Sequence, residues 1–80
     1  MGAILEKQGK LEEAVIHYSL AAQIKPNFDI AHYNLGIVYY KLGRLDDAIR
    51  AFETALRINP KFSNARNNLE IVQSAKRGMK

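Results

Sequence analysis

Residues 35–48 read LGIVYYKLGRLDDA, and residues 1–14 read MGAILEKQGKLEEA. Both stretches keep glycine, six residues, glycine, one residue, leucine, two acids and alanine in the same register. Sliding the 80-residue chain on itself by 34 positions gives 14 identities among 46 pairs, where composition alone gives about three. They include Gly2/Gly36, Gly9/Gly43, Leu11/Leu45, Ala14/Ala48, Ala21/Ala55, Pro26/Pro60, Phe28/Phe62 and Asn34/Asn68. Self-similarity at this period means repeated units that stack, each burying the face of the last.

Each period divides into two helices. Gly9 and Gly43 are where one helix is expected to stop, because glycine enters the left-handed conformation without a side-chain clash. Glu12-Glu13 and Asp46-Asp47 then place negative charge in the first turn of the next helix, where unpaired N–H groups favour it. From Leu45 onward, Ala48, Ile49, Phe52, Ala55, Leu56 and Ile58 follow helical spacing along one stripe. Pro60 stops that helix, and Asp29 and Ser63 follow the two prolines as expected N-caps. The pattern predicts helices over residues 2–8, 11–24, 29–42, 45–58 and 63–76. Gly36 falls inside one of them at a cost of about 0.5–1 kcal/mol relative to alanine, which close packing against a neighbour would offset. Gly36 and Ala48 are the small partners in that packing; Tyr39, Phe52 and Leu56 supply the bulk.

Composition limits what such a chain can do. There is no cysteine among the 80 residues, so disulfides, thiolate metal sites and cysteine nucleophiles are excluded. This usage suits a reducing compartment, and the expected location is cytoplasmic. No apolar run approaches the roughly 20 residues that cross a bilayer, and MGAILEKQGK is too short and charged for a secretory leader. The net charge of +4 is uneven. Residues 57–80 carry Arg57, Lys61, Arg66, Lys76, Arg77 and Lys80 against Glu70 alone. No aromatic side chain is interleaved there, so a solvated terminal helix fits better than specific nucleic-acid binding.

Catalysis finds no support. Glu13 and His17 stand four apart on one helix face, half of a metal site and no more. The paired acids are adjacent in sequence, so they do not face each other across a helix. Phosphate loops and nucleophile–base pairs are missing. No enzyme, metal or cofactor is expected.

On these residues the chain resembles the tetratricopeptide repeat family. Residues 29–62 are similar to one complete repeat through Leu35-Gly36, Tyr39, Gly43, Ala48, Phe52, Ala55 and Pro60, with His32 where the family often has tryptophan. Residues 1–28 resemble a repeat that lacks its beginning, and residues 63–80 the first helix of a third. The resemblance implies an all-α solenoid of antiparallel helix-turn-helix repeats, in which the first helix of each pair lines a concave groove. In the third segment Glu70, Gln73, Ser74 and Lys76 replace Gly36, Tyr39, Tyr40 and Leu42, the polar face expected of a capping helix. At the other end Met1, Ile4 and Leu5 are expected to stay uncovered and to drive self-association.

The resemblance implies a protein-interaction scaffold that binds an extended peptide segment of a partner. Helix 29–42 is apolar on two sides, one stripe being Ile30, Tyr33, Ile37 and Tyr40. The candidate peptide contacts are Tyr33, Asn34, Ile37, Tyr40 and Lys41, with Asn64, Asn68 and Ile71 on the next first helix. Asparagine is a poor helix-interior residue, but its amide offers a donor and an acceptor to a peptide backbone. A similar asparagine ladder lines the long arrays that serve protein O-glycosyltransferases. The carboxylate clamp of chaperone-binding members is not matched: Asn34 fits it, but Ala3 and Asn68 stand where asparagine and a basic residue are needed. The alternatives are a self-assembling structural or engineered repeat unit and, behind it, a basic-tailed nucleic-acid binder.

Overall fold

The computed structural model describes residues 2–78, with side chains described from Gly9 onward. Four helices follow in order: α1 (Gly2–Ile24), α2 (Asp29–Lys41), α3 (Leu45–Ile58) and α4 (Ser63–Gly78). Each packs on the next, α2 on α3 most extensively, and α4 also touches α2. The described residues contain no strand, so the fold is all-α with helix hairpins stacked in repeat order. None of these helices is long and apolar enough to cross a membrane.

The turn between α2 and α3 forms where the sequence places it. Gly43 has φ +80°, the left-handed conformation that only glycine adopts without cost. Its N–H donates to the Tyr40 carbonyl at 3.0 Å, and the Arg44 N–H donates to the Tyr39 carbonyl at 2.9 Å. Two otherwise unpaired carbonyls are thereby satisfied, in the pattern of a Schellman motif. Arg44 fastens the turn from outside, stacking 5.1 Å over the Tyr39 ring and donating from Nε to Asp47 at 2.9 Å.

The turn brings α2 and α3 into close contact. Ala48, Phe52 and Ala55 of α3 are buried together with Ala65 and Val72 of α4. Gly36 lies against the Phe52 ring so tightly that a Cβ added to it would stand 2.6 Å from a ring carbon. This is the close approach for which Gly36 is present. Ala31, Leu35 and Val38 of α2 are also buried.

The first repeat differs from expectation. Residues 2–8 and 11–24 do not form two helices; Gly2–Ile24 is one continuous helix of 23 residues. Gly9, in the same local sequence as Gly43, is helical and open, with nothing within 4 Å of a Cβ placed there. The cause is energetic. A turn at Gly43 is repaid by the α2–α3 interface, whereas a glycine kept inside a helix costs only about 0.5–1 kcal/mol relative to alanine. Glycine within the helix is the cheaper outcome. The edge formed by Met1, Ile4 and Leu5 lies outside the described side chains.

The inter-repeat loops share a fastening. Nε2 of His32 lies 3.2 Å from the Pro26 carbonyl oxygen, and Arg66 donates to the Pro60 carbonyl. These pairs are one repeat apart, so different side chains perform the same closure. Asp29 is the first residue of α2; its carboxylate accepts from the Ile30 N–H at 2.8 Å and from the Asn59 amide at 3.0 Å, joining the two loops. Ser63 opens α4.

Candidate functional site

The two first helices, α2 and α4, lie side by side, and the residues proposed to meet a partner are distributed over them. They do not behave alike. Tyr33 is half-buried and belongs to the packing: its ring lies 5.9 Å from that of Phe52 and 4.8 Å from that of Phe62. Its hydroxyl accepts a hydrogen bond from the Asn68 amide at 3.1 Å. The pair expected to reach outward to a peptide is engaged inward, tying α2 to α4. Three aromatic rings meeting at one junction make that engagement favourable, since each covers the others' apolar faces.

Ile37 is also half-buried, against the same core. What the packing leaves free are the ends and outer edge of the face. Tyr40 is 40% and Ile71 52% exposed, and Lys41 and Asn64 are exposed. Ile30, at the start of the same stripe, is 50% exposed, although the residues expected to make contacts did not include it. Its position in the stripe of Tyr33, Ile37 and Tyr40 was the available signal.

The amides divide in the same way. Asn34 and Asn68 are repeat equivalents, yet only Asn68 finds a side-chain partner among the described residues. It does so because a preceding first helix carries Tyr33 at the right place. Asn34 and Asn64 have no side-chain hydrogen bond to another of the described residues. The face therefore offers unengaged amides, exposed apolar side chains and one cation. It can hold a backbone through hydrogen bonds, cover an apolar side chain and favour a nearby carboxylate, but it contains no group arranged to transfer a proton or attack a bond.

The perturbed titration lies elsewhere. Asp46, in the first turn of α3, is held below the usual carboxylate range by its hydrogen bond and charge pairing with Lys76, with a smaller contribution from Arg50. Lys76 belongs to the last turn of α4, so the pair closes one end of the α3–α4 contact and engages part of the basic C-terminal stretch. Ile49, Gln73, Lys76 and Arg77 line a shallow depression of about 420 Å³ beside it.

Two family models match the chain. One, described as Tetratricopeptide repeat, covers residues 30–62; the other, described as TPR repeat, covers residues 2–43. Comparison with curated proteins returns no match.

Proposed function

The chain belongs to the tetratricopeptide repeat family, whose repeats mediate protein–protein interaction, and from that premise we propose that α2 and α4 hold an extended segment of a partner protein. One observation carries this reading: unengaged amides and exposed apolar side chains occur together on two neighbouring first helices. Asn34 and Asn64 bond the segment's backbone, Tyr40 and Ile71 cover its apolar side chains, and Lys41 favours an acidic residue. Tyr33, Ile37 and Asn68 form the floor. The protein acts as a scaffold, without catalysis or cofactor.

The exposed outer edge separates binding from folding in a test. A partner captured on the immobilised chain is titrated against Tyr40→Ala, Asn34→Ala and Arg57→Ala. Truncating an interface tyrosine often costs about 2 kcal/mol, so the first variant should bind more than about tenfold weaker, with helix content by circular dichroism unchanged. Arg57, on the outer helix, should not matter. If Arg57→Ala releases the partner and the other two do not, the outer helices carry the interaction.

A second reading, self-association at the N-terminal end, is favoured by α1. That helix packs on α2 and leaves Ile16, Leu20 and Ile24 exposed.

A further inference from the structure

The seam between α2 and α4 does not close evenly. Short reversals join each of these helices to α3, so the two run in the same direction. At one level of the seam the Asn68 amide donates to the Tyr33 hydroxyl at 3.1 Å. Seven residues further along, about two turns, each helix presents the same face again. The register therefore sets Tyr40 of α2 opposite Ala75 of α4, as Tyr33 is set opposite Asn68. The geometry recurs, but the chemistry does not. An alanine methyl offers a hydroxyl nothing to bond and fills less of the seam than an asparagine does.

Exposure agrees with an opening at that level. Tyr40 is 40% exposed, whereas Tyr33 is half-buried against Phe52 and Phe62. Ile37 and Ile71, one turn before Tyr40 and Ala75, border the same place, and Ile71 is 52% exposed. The result is an apolar notch with Ala75 at its base, walled by a tyrosine ring and two isoleucines. Its surroundings carry charge of one sign. The acids of α2 and α4 are Asp29 and Glu70. Asp29 is held by the Ile30 N–H and the Asn59 amide. Glu70 stands in the register of Gly36, which packs on Phe52 rather than lining the groove. Lys41, exposed and next to Tyr40 in the chain, is left as the charge beside the notch.

We propose that the notch is the anchor point of the partner segment: one large apolar side chain enters between Tyr40 and Ala75, and an acidic residue two positions along the segment meets Lys41. The Tyr40 ring covers the inserted side chain while its hydroxyl stays at the rim, beside the segment's backbone. Same-side residues of an extended chain stand about 7 Å apart, a separation that the flexible stem of Lys41 accommodates. This proposal rests on the groove reading and gives it a recognition rule, an apolar residue and an acid at a spacing of two.

The probe is a serine nonapeptide with leucine at its centre and aspartates two positions to either side. It is titrated into the isotope-labelled 80-residue chain and followed by amide NMR shifts, which should centre on Tyr40, Lys41, Ile71 and Ala75. Replacing the peptide's leucine by serine should weaken binding about tenfold or more, and replacing its aspartates by lysine at least about threefold. Ala75→Asn gives Tyr40 the partner that Asn68 gives Tyr33, and should weaken binding about tenfold or more. Ala75→Ser keeps the notch open and should stay within about twofold; both variants should keep their helix content by circular dichroism. No response to the peptide, or equal binding by Ala75→Asn and the parent chain, overturns the anchor. The groove reading fails separately, if the partner captured on the immobilised chain is released by Arg57→Ala and not by Asn34→Ala.

Discussion

Three glycines show how one residue type takes its meaning from its surroundings. Gly43 supplies a positive φ, Gly36 supplies the absence of a Cβ against Phe52, and Gly9 supplies neither, being helical with open space around it. Alanine at the three positions should therefore act with different signs, read by urea unfolding at low protein concentration. Gly43→Ala forces an alanine into the left-handed region and should cost about 1–2 kcal/mol. Gly36→Ala overpacks a buried ring and should cost about 1–3 kcal/mol. Gly9→Ala should stabilise by about 0.5–1 kcal/mol, the helix-propensity difference. Should Gly9→Ala instead destabilise as Gly43→Ala does, position 9 is a turn in solution.

At the scale of elements, α3 and α4 are joined by apolar packing along their length and by the Lys76–Asp46 pair at one end. Because the folded pKa of Asp46 is lowered, the pair supports the fold above the ordinary aspartate range, and that support is lost as pH falls through the lowered value. Both side chains are more than half exposed, so the pair adds little to stability at neutral pH. Lys76→Ala should move the NMR titration midpoint of Asp46 upward, towards the ordinary aspartate range, with the melting temperature at pH 7 nearly unchanged. An Asp46 midpoint that does not move would mean the pair does not form in solution.

The whole molecule is a slab of 40 × 33 × 16 Å, so its core is thin. Phe52 and Val72 are the largest wholly buried side chains. A core of this size without a disulfide rarely supplies more than about 3–5 kcal/mol, and repeat arrays lose it unevenly, because each unit depends on its neighbours. Amide hydrogen exchange should be slowest in α3, which is covered on both sides, and fast in α1 at low concentration. If the N-terminal end self-associates, protection in α1 should rise with protein concentration. Equal protection of α1 and α3 in dilute solution would contradict this account.

The sequence by itself determined the helical content, the 34-residue period, the turn at Gly43, the close helix approach at Gly36 and the family. These depend on local conformational cost and on spacing, both of which are written in the order of residues. The tertiary structure decided what depends on neighbours. Gly9 repeats the sequence around Gly43 but stays helical, because a glycine turns only when the two arms gain enough by packing. Asn34 and Asn68 occupy the same repeat position, yet among the described residues only Asn68 is tied to a side chain, the Tyr33 hydroxyl that α2 places beside it. The same logic divided the candidate site: Tyr33 and Ile37 were legible as apolar stripe residues, but their packing against the core follows from the junction of Tyr33, Phe52 and Phe62, three residues far apart in the chain. A repeat gives identical residues identical local tendencies, and its stacking order gives them different neighbours.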